Sequence, residues 1–396
     1  MKINTAVFFG GRSVEHEVSV ITGVQAIMSL DREKYNIIPV YIAKDGAMYS
    51  GDVLFDIDNY KDLNKLCAAA KKVTILSENG KAVMKYAKKR GFTDKNQVEL
   101  DVALPAVHGT NCEDGALQGF FELLGLAYVG PDVLSSAVGM DKAVFKKIMA
   151  ANNLPVLPCI ELSARRYAQS AKEAFDSIEK NIGFPVIVKP VNLGSSVGIS
   201  KANNQAELLT ACDLAFSFAD RLLIEKAVQN LKEINCSVIG DCDECIASVC
   251  EAPAMSGDIL SYDDKYTSGS KSKGMASLSR KIPADIDDKT SDKIRAIACD
   301  AFNAINAAGI CRIDFLMDTL SGEIYINEAN TIPGSLAFYL WEATGMKYCE
   351  MLDKLIEIAY KRKRRNNKLM HTVDVNLLSC NALSGSKFSK TGKFGK

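Results

Sequence analysis

Residues 311–335 constrain the fold more than any other stretch, because they read as two β-strands that carry charged side chains. The extended runs CRIDFLMD and EIYINEAN are joined by TLSG, a glycine-containing turn that favours a hairpin. The two-residue period of a strand groups the polar side chains on one face of each run, Arg312 with Asp314 and Glu328 with Asn330. Carboxylate and amide oxygens of this kind suit Mg²⁺. The alternative is a surface hairpin with two ion pairs.

The length and charge of the chain limit its class. At 396 residues it exceeds the roughly 250–300 at which a single core stops growing, which predicts two or three domains. Basic and acidic residues are equal at 48 each, so we expect neither nucleic acid nor an anionic membrane as a partner. The N-terminus enters a strand without a signal peptide, and the twelve cysteines are typical of reduced thiols. We therefore expect a soluble cytoplasmic protein.

Residues 1–131 predict a small α/β domain built on a doubly wound parallel sheet. The strands KINTAVFFGG, NIIPVYIAKDG and VELDVALPAVHG alternate with helices, and ligands of such sheets bind beyond the carboxyl ends of the strands. Glu15 in GGRSVEHEVS and His108 in HGTNCEDG both follow such ends. Each also has a structural explanation, because a carboxylate favours a helix N-terminus and a lone histidine is more often a hydrogen-bonded structural residue.

Residues 132–223 predict a second α/β unit. A helix over SSAVGMDKAVFKKIMAANN carries Lys142 near its start, and the apolar strand FPVIVKP ends at Lys189. The following GSSVG turn contains Ser195 and Ser196, and its backbone N–H groups could bind a phosphate. A plain hairpin turn is the alternative, and the spacing excludes a Walker P-loop.

Residues 224–370 predict a third unit of mainly antiparallel strands, and residues 371–396 a partly disordered tail. The unit opens with LLIEKAV, a strand that ends at Glu225. The segment SYDDKYTSGSKSKGM has the composition of a mobile surface loop. Its Lys265 and Tyr266 are either solvent-exposed residues without a specific role or part of a lid that brings a cation to phosphate.

These motifs together resemble the D-alanine–D-alanine ligase family of the ATP-grasp superfamily. The resemblance rests on GGRSVEHEVS, HGTNCEDG, MDK, FPVIVKP, GSSVG, YDDKY, RIDF and NEANTIPG, which follow the family order over roughly residues 10–340. It implies an α/β fold, with α+β character in the C-terminal part, in a three-domain ATP-grasp architecture. It also implies ATP-dependent joining of two D-alanines through a D-alanyl phosphate, in the synthesis of peptidoglycan precursors.

The resemblance implies roles for particular residues. Those expected at ATP are Lys142, Lys189, Ser195, Ser196, Glu225, Glu233 and Lys265, and those expected at two Mg²⁺ or Mn²⁺ ions are Asp314, Glu328 and Asn330. Glu15 would receive the ammonium of the first D-alanine and would be locked in a hydrogen-bonded set with Ser195 and Tyr266, with His108 also at the substrate. Arg312 and the backbone N–H near Gly334 would face the oxyanion.

Two departures from the family pattern concern the substrates. Cys112 replaces a glycine usual in the second motif, and Tyr339 with Leu340 occupies a position where many members have Ser-Leu. Tyr339 or Ser335 would then bind the carboxylate of the second substrate, or that substrate differs. Tyr266 favours D-alanine over D-lactate by analogy. The alternatives are a ligase that uses D-serine or D-lactate second, and a non-catalytic nucleotide-binding protein. Family members are commonly dimers, so a homodimer is an expectation.

Overall fold

The described residues form three β-sheets, which follow one another along the chain. The computed structural model describes residues 2–87, 96–194, 197–253 and 280–371. Among the residues called from the sequence, Ser195, Ser196, Lys265 and Tyr266 lie outside these ranges, as does the tail from residue 372. Within the described ranges, no helix combines the length and the apolar character that crossing a membrane requires.

The first sheet has eight strands in the order β6-β5-β4-β3-β2-β1-β7-β8. They are β1 (Ile3–Gly10), β2 (Tyr35–Ile42), β3 (Met48–Ser50), β4 (Lys71–Glu78), β5 (Lys81–Tyr86), β6 (Gln97–Glu99), β7 (Val102–Pro105) and β8 (Ala127–Tyr128). The four neighbouring strands β2, β1, β7 and β8 are parallel to one another, as predicted. The other four strands, β3, β4, β5 and β6, each pair antiparallel with their neighbours. The predicted parallel sheet is therefore confirmed, and the antiparallel extension was not predicted. Asn79 and Gly80, both with positive φ, form a tight turn that forces β4 and β5 to pair as a hairpin.

The second sheet has four antiparallel strands in the order β11-β10-β12-β9. They are β9 (Cys159–Ser163), β10 (Val186–Pro190), β11 (Ser200–Ala202) and β12 (Arg221–Lys226). The predicted strand–turn–strand around residues 186–202 is confirmed as β10 and β11. The predicted boundary after residue 223 needs correction, because β12 pairs with β9 and β10 as far as Lys226.

The third sheet has five antiparallel strands in the order β15-β14-β13-β16-β17. They are β13 (Leu231–Gly240), β14 (Cys245–Pro253), β15 (Arg280–Lys281), β16 (Gly309–Asp318) and β17 (Ile324–Asn330). The hairpin predicted over residues 311–330 is confirmed as β16 and β17. Its register opposes Asp314 to Glu328 and Arg312 to Asn330, so the four predicted polar residues share one face.

Helices cover the sheets and join them. The described residues form α1 (His16–Ser29), α2 (Leu63–Ala69), α3 (Ala116–Leu124), α4 (Val133–Met140), α5 (Lys142–Ala151), α6 (Ala164–Asn181), α7 (Gln205–Phe216), α8 (Asp288–Ala304), α9 (Phe338–Ala343) and α10 (Tyr348–Asn366). The single helix predicted around residue 141 is in fact two, α4 and α5. Asp141 has an extended backbone there, and its carboxylate caps α5 by accepting from the N–H groups of Ala143 and Val144.

The last helix returns to the first sheet. Buried side chains of α10, including Met351, Leu352 and Leu355, belong to the same core as β1 and β7. Arg362 donates to the carbonyls of Tyr128 and Gly130, at 2.6 Å each. The N-terminal and C-terminal parts of the chain therefore share one core, which fixes the first sheet beside the third.

Candidate active site

The polar residues of the third sheet lie in a row across its strands. Register pairs Glu251 with Asn235, Asn235 with Asp314, and Asp314 with Glu328. We call this side of the sheet the polar face. Arg312 donates from Nε and Nη2 to the two carboxylate oxygens of Asp314, at 2.7 and 2.8 Å. The alternative of a surface hairpin does not fit, because Asp314 is only 9% exposed and Arg312 is also largely covered.

The end of this row has the donor chemistry of a hard divalent cation. Asp314 and Glu328 face each other on adjacent strands, and the side-chain amide of Asn330 lies 2.9 Å from Asp314 Oδ2. Two carboxylates and an amide supply the oxygen ligands that Mg²⁺ or Mn²⁺ prefers. A side-chain amide can present its oxygen after a flip of its terminal group. The residues therefore fit the predicted ions.

The two predicted ATP lysines reach this face from the second sheet and from α5. Lys142 Nζ lies 3.1 Å from Glu328 Oε2 and donates to the carbonyl of Leu193 at 2.8 Å. Lys189 Nζ donates to Asn327 Oδ1 at 2.9 Å and pairs with Glu225 at 2.5 Å. These contacts bring together the Gly-rich turn after β10 and the metal-binding end of the polar face.

Glu225 is one of the residues expected at ATP, and in the structure its carboxylate contacts two lysines. Its carboxylate is fully buried and forms ion pairs with both Lys146 and Lys189. Burial alone would raise the pKa of Glu225, but the two ammonium groups outweigh burial and lower it to about 2. Burial is the largest influence on Lys146 and lowers its pKa, whereas the surrounding carboxylates outweigh burial at Lys189 and raise its pKa. Glu225 thus holds in place Lys189, one of the lysines predicted to bind phosphate.

Lys146 was not among the sequence candidates, although the sequence held a signal for it. It follows Lys142 by four residues on α5, so the two side chains lie on the same face of the helix.

Glu233 lies on the polar face two residues from Asn235, and its charge acts on Lys189. Its expected place at ATP stays a prediction.

Glu15 comes from the first sheet and reaches the same cleft. It occupies the N-cap position of α1 without a side-chain capping hydrogen bond, and the attraction of a carboxylate to a helix N-terminus still applies there. A Cβ placed on Gly109 or on Gly194 would lie 2.9 Å from Glu15 Oε2. The carboxylate therefore sits between two glycines, one in the loop after β7 and one in the Gly-rich turn after β10.

His108 is committed to protein partners by both ring nitrogens. Nε2 lies 2.8 Å from Thr22 Oγ1, and Nδ1 lies 2.8 Å from the carbonyl of Ile332. Because a carbonyl only accepts, Nδ1 carries a proton and the Thr22 hydroxyl can donate to Nε2. The Thr22 oxygen in turn accepts from the backbone N–H of Ser335 at 2.9 Å. These bonds favour a positioning role for His108 over its predicted contact with substrate.

The segment after β17 has an uncommon backbone. Ser335, Leu336 and Ala337 all have φ near +50°, a left-handed turn of three residues with side chains. Such a conformation costs roughly 1–2 kcal/mol per residue, and the bond from Thr22 helps to hold it. Gly334, whose N–H region is expected at the oxyanion, directly precedes these three residues in the chain.

The residues predicted for the second substrate separate in the structure. Leu340 is fully buried, which argues against its contact with substrate, and Ser335 is 2% exposed. The hydroxyl of Tyr339 donates to Glu251 Oε1 at 3.1 Å, and burial together with the Glu251 charge raises the pKa of Tyr339 to about 12.

Cys112 packs against Gly11 with its thiol buried, which raises the pKa of that thiol to about 12.

Buried lysines of α5 and β10, set against a sheet that carries carboxylates, agree with an enzyme of the ATP-grasp class. Residues 4–131 match the family model of the D-ala D-ala ligase N-terminus, and residues 148–357 match that of the D-ala D-ala ligase C-terminus. The chain belongs to the D-alanine–D-alanine ligase family.

Similar proteins agree with this assignment. The chain is 37% identical to a D-alanine–D-alanine ligase of Thermosipho melanesiensis over 95% of this chain and 98% of that one. It is 39% identical to one of Heliobacterium modesticaldum, over 92% and 98%. Among solved structures, the D-alanine-D-alanine ligase of Coxiella burnetii matches with a TM-score of 0.75 and 29% identity, over 93% and 96%. The VanG D-Ala:D-Ser ligase of Enterococcus faecalis matches with a TM-score of 0.75 and 30% identity, over 91% and 100%.

Proposed function

We propose that this chain joins two D-alanine molecules at the expense of ATP and releases D-alanyl-D-alanine, ADP and phosphate. The contact between Lys142 and Glu328 carries the proposal, because it puts a cation for phosphate beside a carboxylate for metal. Family membership supports the same reaction. The product serves peptidoglycan precursor synthesis, in the cytoplasm where ATP is available. A homodimer stays a prediction.

The ATP end of the cleft is formed by residues that two sheets contribute. Lys142 and Lys189 offset the negative charge of the phosphates, and Lys142 also donates to the carbonyl of Leu193. Asp314, Glu328 and Asn330 would hold two Mg²⁺ ions, which when bound neutralise phosphate charge and fix the phosphate oxygens. Glu225, which also pairs with Lys146, holds Lys189 in position before the nucleotide binds.

The reaction then proceeds in two displacements. Glu15 binds the ammonium of the first D-alanine, whose carboxylate oxygen attacks the γ-phosphorus of ATP while ADP leaves. The amine of the second D-alanine attacks the carbonyl of the resulting acyl phosphate, loses a proton and expels phosphate. Arg312 and the N–H near Gly334 stabilise the tetrahedral oxyanion. The chain's contribution is mainly positioning and charge stabilisation.

A ligase with a different second substrate is the second candidate. Tyr339 stands where many family members have serine, and the chain resembles a D-Ala:D-Ser ligase as closely as it resembles a D-alanine-D-alanine ligase of known structure. ADP release with Mg²⁺ and ATP, measured with D-alanine alone and with added D-serine or D-lactate, separates the candidates when the product is identified by mass. Bound ATP without any ligated product would refute both in favour of a non-catalytic protein.

Glu328→Gln tests the metal assignment. It should lower turnover by at least about 100-fold, because the side chain loses the charge that would hold the metal. Glu323→Gln is the matched control, since Glu323 is an exposed residue of the same hairpin that bonds to Tyr325. Near-normal turnover in Glu328→Gln, with both variants melting like the parent chain, would contradict the two-metal proposal.

A further inference from the structure

A second charged cluster lies at the opposite end of the polar face from the metal-binding residues. Glu251 accepts hydrogen bonds from Tyr339 at 3.1 Å, from Asn235 Nδ2 at 3.0 Å and from Arg280 Nη1 at 3.2 Å. The Arg280 guanidinium also lies 4.1 Å from the centre of the Tyr339 ring. We call Arg280, Tyr339 and Glu251 the arginine cluster. Its three members come from β15, from α9 and from β14.

The position of the arginine cluster relative to the reaction follows from strand register. Glu251 on β14 is two strands from Asp314 on β16, which corresponds to about 10 Å. Arg312 lies between the two ends, and both Glu251 and Tyr339 act electrostatically on it. Lys142 and Glu328 occupy the other side of Arg312. A carbonyl that faces Arg312 therefore has phosphate on one side and the arginine cluster on the other.

The chemistry of the cluster matches a carboxylate. Arg312 and Arg280 are the two guanidinium groups that the polar face carries within the described ranges, and the proposed reaction places Arg312 at the oxyanion. A guanidinium has five N–H donors in a planar fork, so Arg280 can bond to Glu251 and to a ligand carboxylate at once. The guanidinium carbon of Arg280 lies over the Tyr339 ring, a cation–π contact that helps to hold the arginine side chain.

We propose that Arg280 binds the carboxylate of the second amino acid, with Tyr339 and Glu251 as positioning residues for its guanidinium. The proposal rests on the proposed ligase function. It explains how a chain with tyrosine in place of the usual serine accepts this substrate. The Tyr339 hydroxyl already donates its hydrogen bond to Glu251, so the Arg280 guanidinium supplies the N–H donors for the substrate carboxylate. The site thereby selects a small α-amino acid with a free carboxylate as acceptor.

D-Alaninamide separates binding of the acceptor from binding of the donor. It has the amine of an acceptor but lacks the free carboxylate that a donor needs, so it can enter the reaction only as the second substrate. Initial rates with saturating ATP and D-alanine as donor give kcat/KM for each acceptor, with the products identified by mass. The parent chain should prefer D-alanine over D-alaninamide by about 10- to 100-fold, the loss expected when a charged hydrogen bond is removed.

Arg280→Gln should reduce this preference to less than about 3-fold, chiefly through a higher KM for D-alanine as acceptor. Lys281→Gln is the matched control, because Lys281 is the exposed neighbour on β15 and pairs with Asp285 instead of the cluster. If Arg280→Gln fails to fold, the double variant Arg280→Gln with Glu251→Gln removes both charges and leaves two amides that can pair.

Tyr339→Phe distinguishes the guanidinium from the tyrosine hydroxyl. The variant keeps the ring under Arg280, so the preference for D-alanine over D-alaninamide should persist even where the overall rate falls. A preference that survives in Arg280→Gln, or one that disappears in Tyr339→Phe, would overturn the proposal. Failure of the parent chain to make dipeptide from D-alanine would instead refute the ligase function itself.

Discussion

Replacement of Glu225 by glutamine should destabilise the fold by about 3–5 kcal/mol, the usual cost of removing one partner from a buried ion pair. Glu225 is 1% exposed and is the shared counter-ion of Lys146 and Lys189. A second route gives a similar value. The pKa of its carboxyl falls from 4.5 to about 2, and each unit is worth about 1.4 kcal/mol, which amounts to about 3 kcal/mol.

The destabilisation is measurable as a shift in melting temperature. A chain of 396 residues has an unfolding entropy of about 0.8 kcal/mol/K, so the variant should melt about 4–6 °C below the parent chain at pH 7. Glu161→Gln is the matched control in the same sheet. The Glu161 carboxylate is partly exposed and bonds to Arg221 and Lys147 at 2.6 Å each, and such pairs contribute less than about 1 kcal/mol.

The pH dependence provides a sharper test of the same ion pairs. Because the pKa of Glu225 is lower in the folded chain than in the unfolded one, its carboxylate stabilises the fold above pH 4.5. That contribution is lost as the pH falls from 4.5 towards 2, so the gap between parent and variant should shrink over this range. A gap below about 1 °C at pH 7, or one that stays constant down to pH 3, would refute the buried triad.

Three further substitutions, one of them paired with a control substitution in α8, test other parts of the site. Thr22→Val should cost about 1–3 kcal/mol in thermal unfolding and lower kcat, because it removes the hydroxyl that joins the histidine to the left-handed turn. Ala337→Gly should change the unfolding free energy by less than about 0.5 kcal/mol, because relief of its positive φ offsets the added chain entropy. Ala298→Gly in α8 lacks that relief and should cost about 1–2 kcal/mol, so equal costs would refute the strain. Gly194→Ala should raise the KM for D-alanine more than the KM for ATP, because the new methyl group displaces Glu15; an unchanged KM for D-alanine would contradict this placement.

The sequence was most informative where the structure is regular and local. A strand period of two placed Arg312 with Asp314 and Glu328 with Asn330, and the register confirms that they share one face. The antiparallel half of the first sheet was missed, although Asn79–Gly80 between two alternating runs is a strong hairpin signal. The break between α4 and α5 was also missed, because Asp141 both ends one helix and caps the next.

Contacts between distant segments could not be predicted from local patterns. Thr22 bonds to a loop 86 residues away and to a turn 313 residues away, and nothing near Thr22 in the sequence marks it. Glu251 likewise lies in a strand that reads as ordinary, and only the order of strands brings it to Arg280 and Tyr339. Such partners follow from tertiary packing, which motif spacing does not encode.

The cations of the site share a feature that bears on how it accepts ATP. Lys142 pairs with Glu328, Lys189 with Glu225, and Arg312 with Asp314. A buried charge without a partner is costly, so these pairs make a site that stays folded without ligand. On the proposed function, substrates would change two of these pairs. Lys142 would leave Glu328 for a phosphate, so that Glu328 could hold a metal ion. Arg312 would share its N–H donors between Asp314 and the oxyanion. The pair of Lys189 with Glu225 persists, since Lys146 holds the same carboxylate from the other side. We therefore expect nucleotide and metal to bind cooperatively. The phosphate would replace Glu328 as the partner of Lys142, and the metal would replace Lys142 as the partner of Glu328.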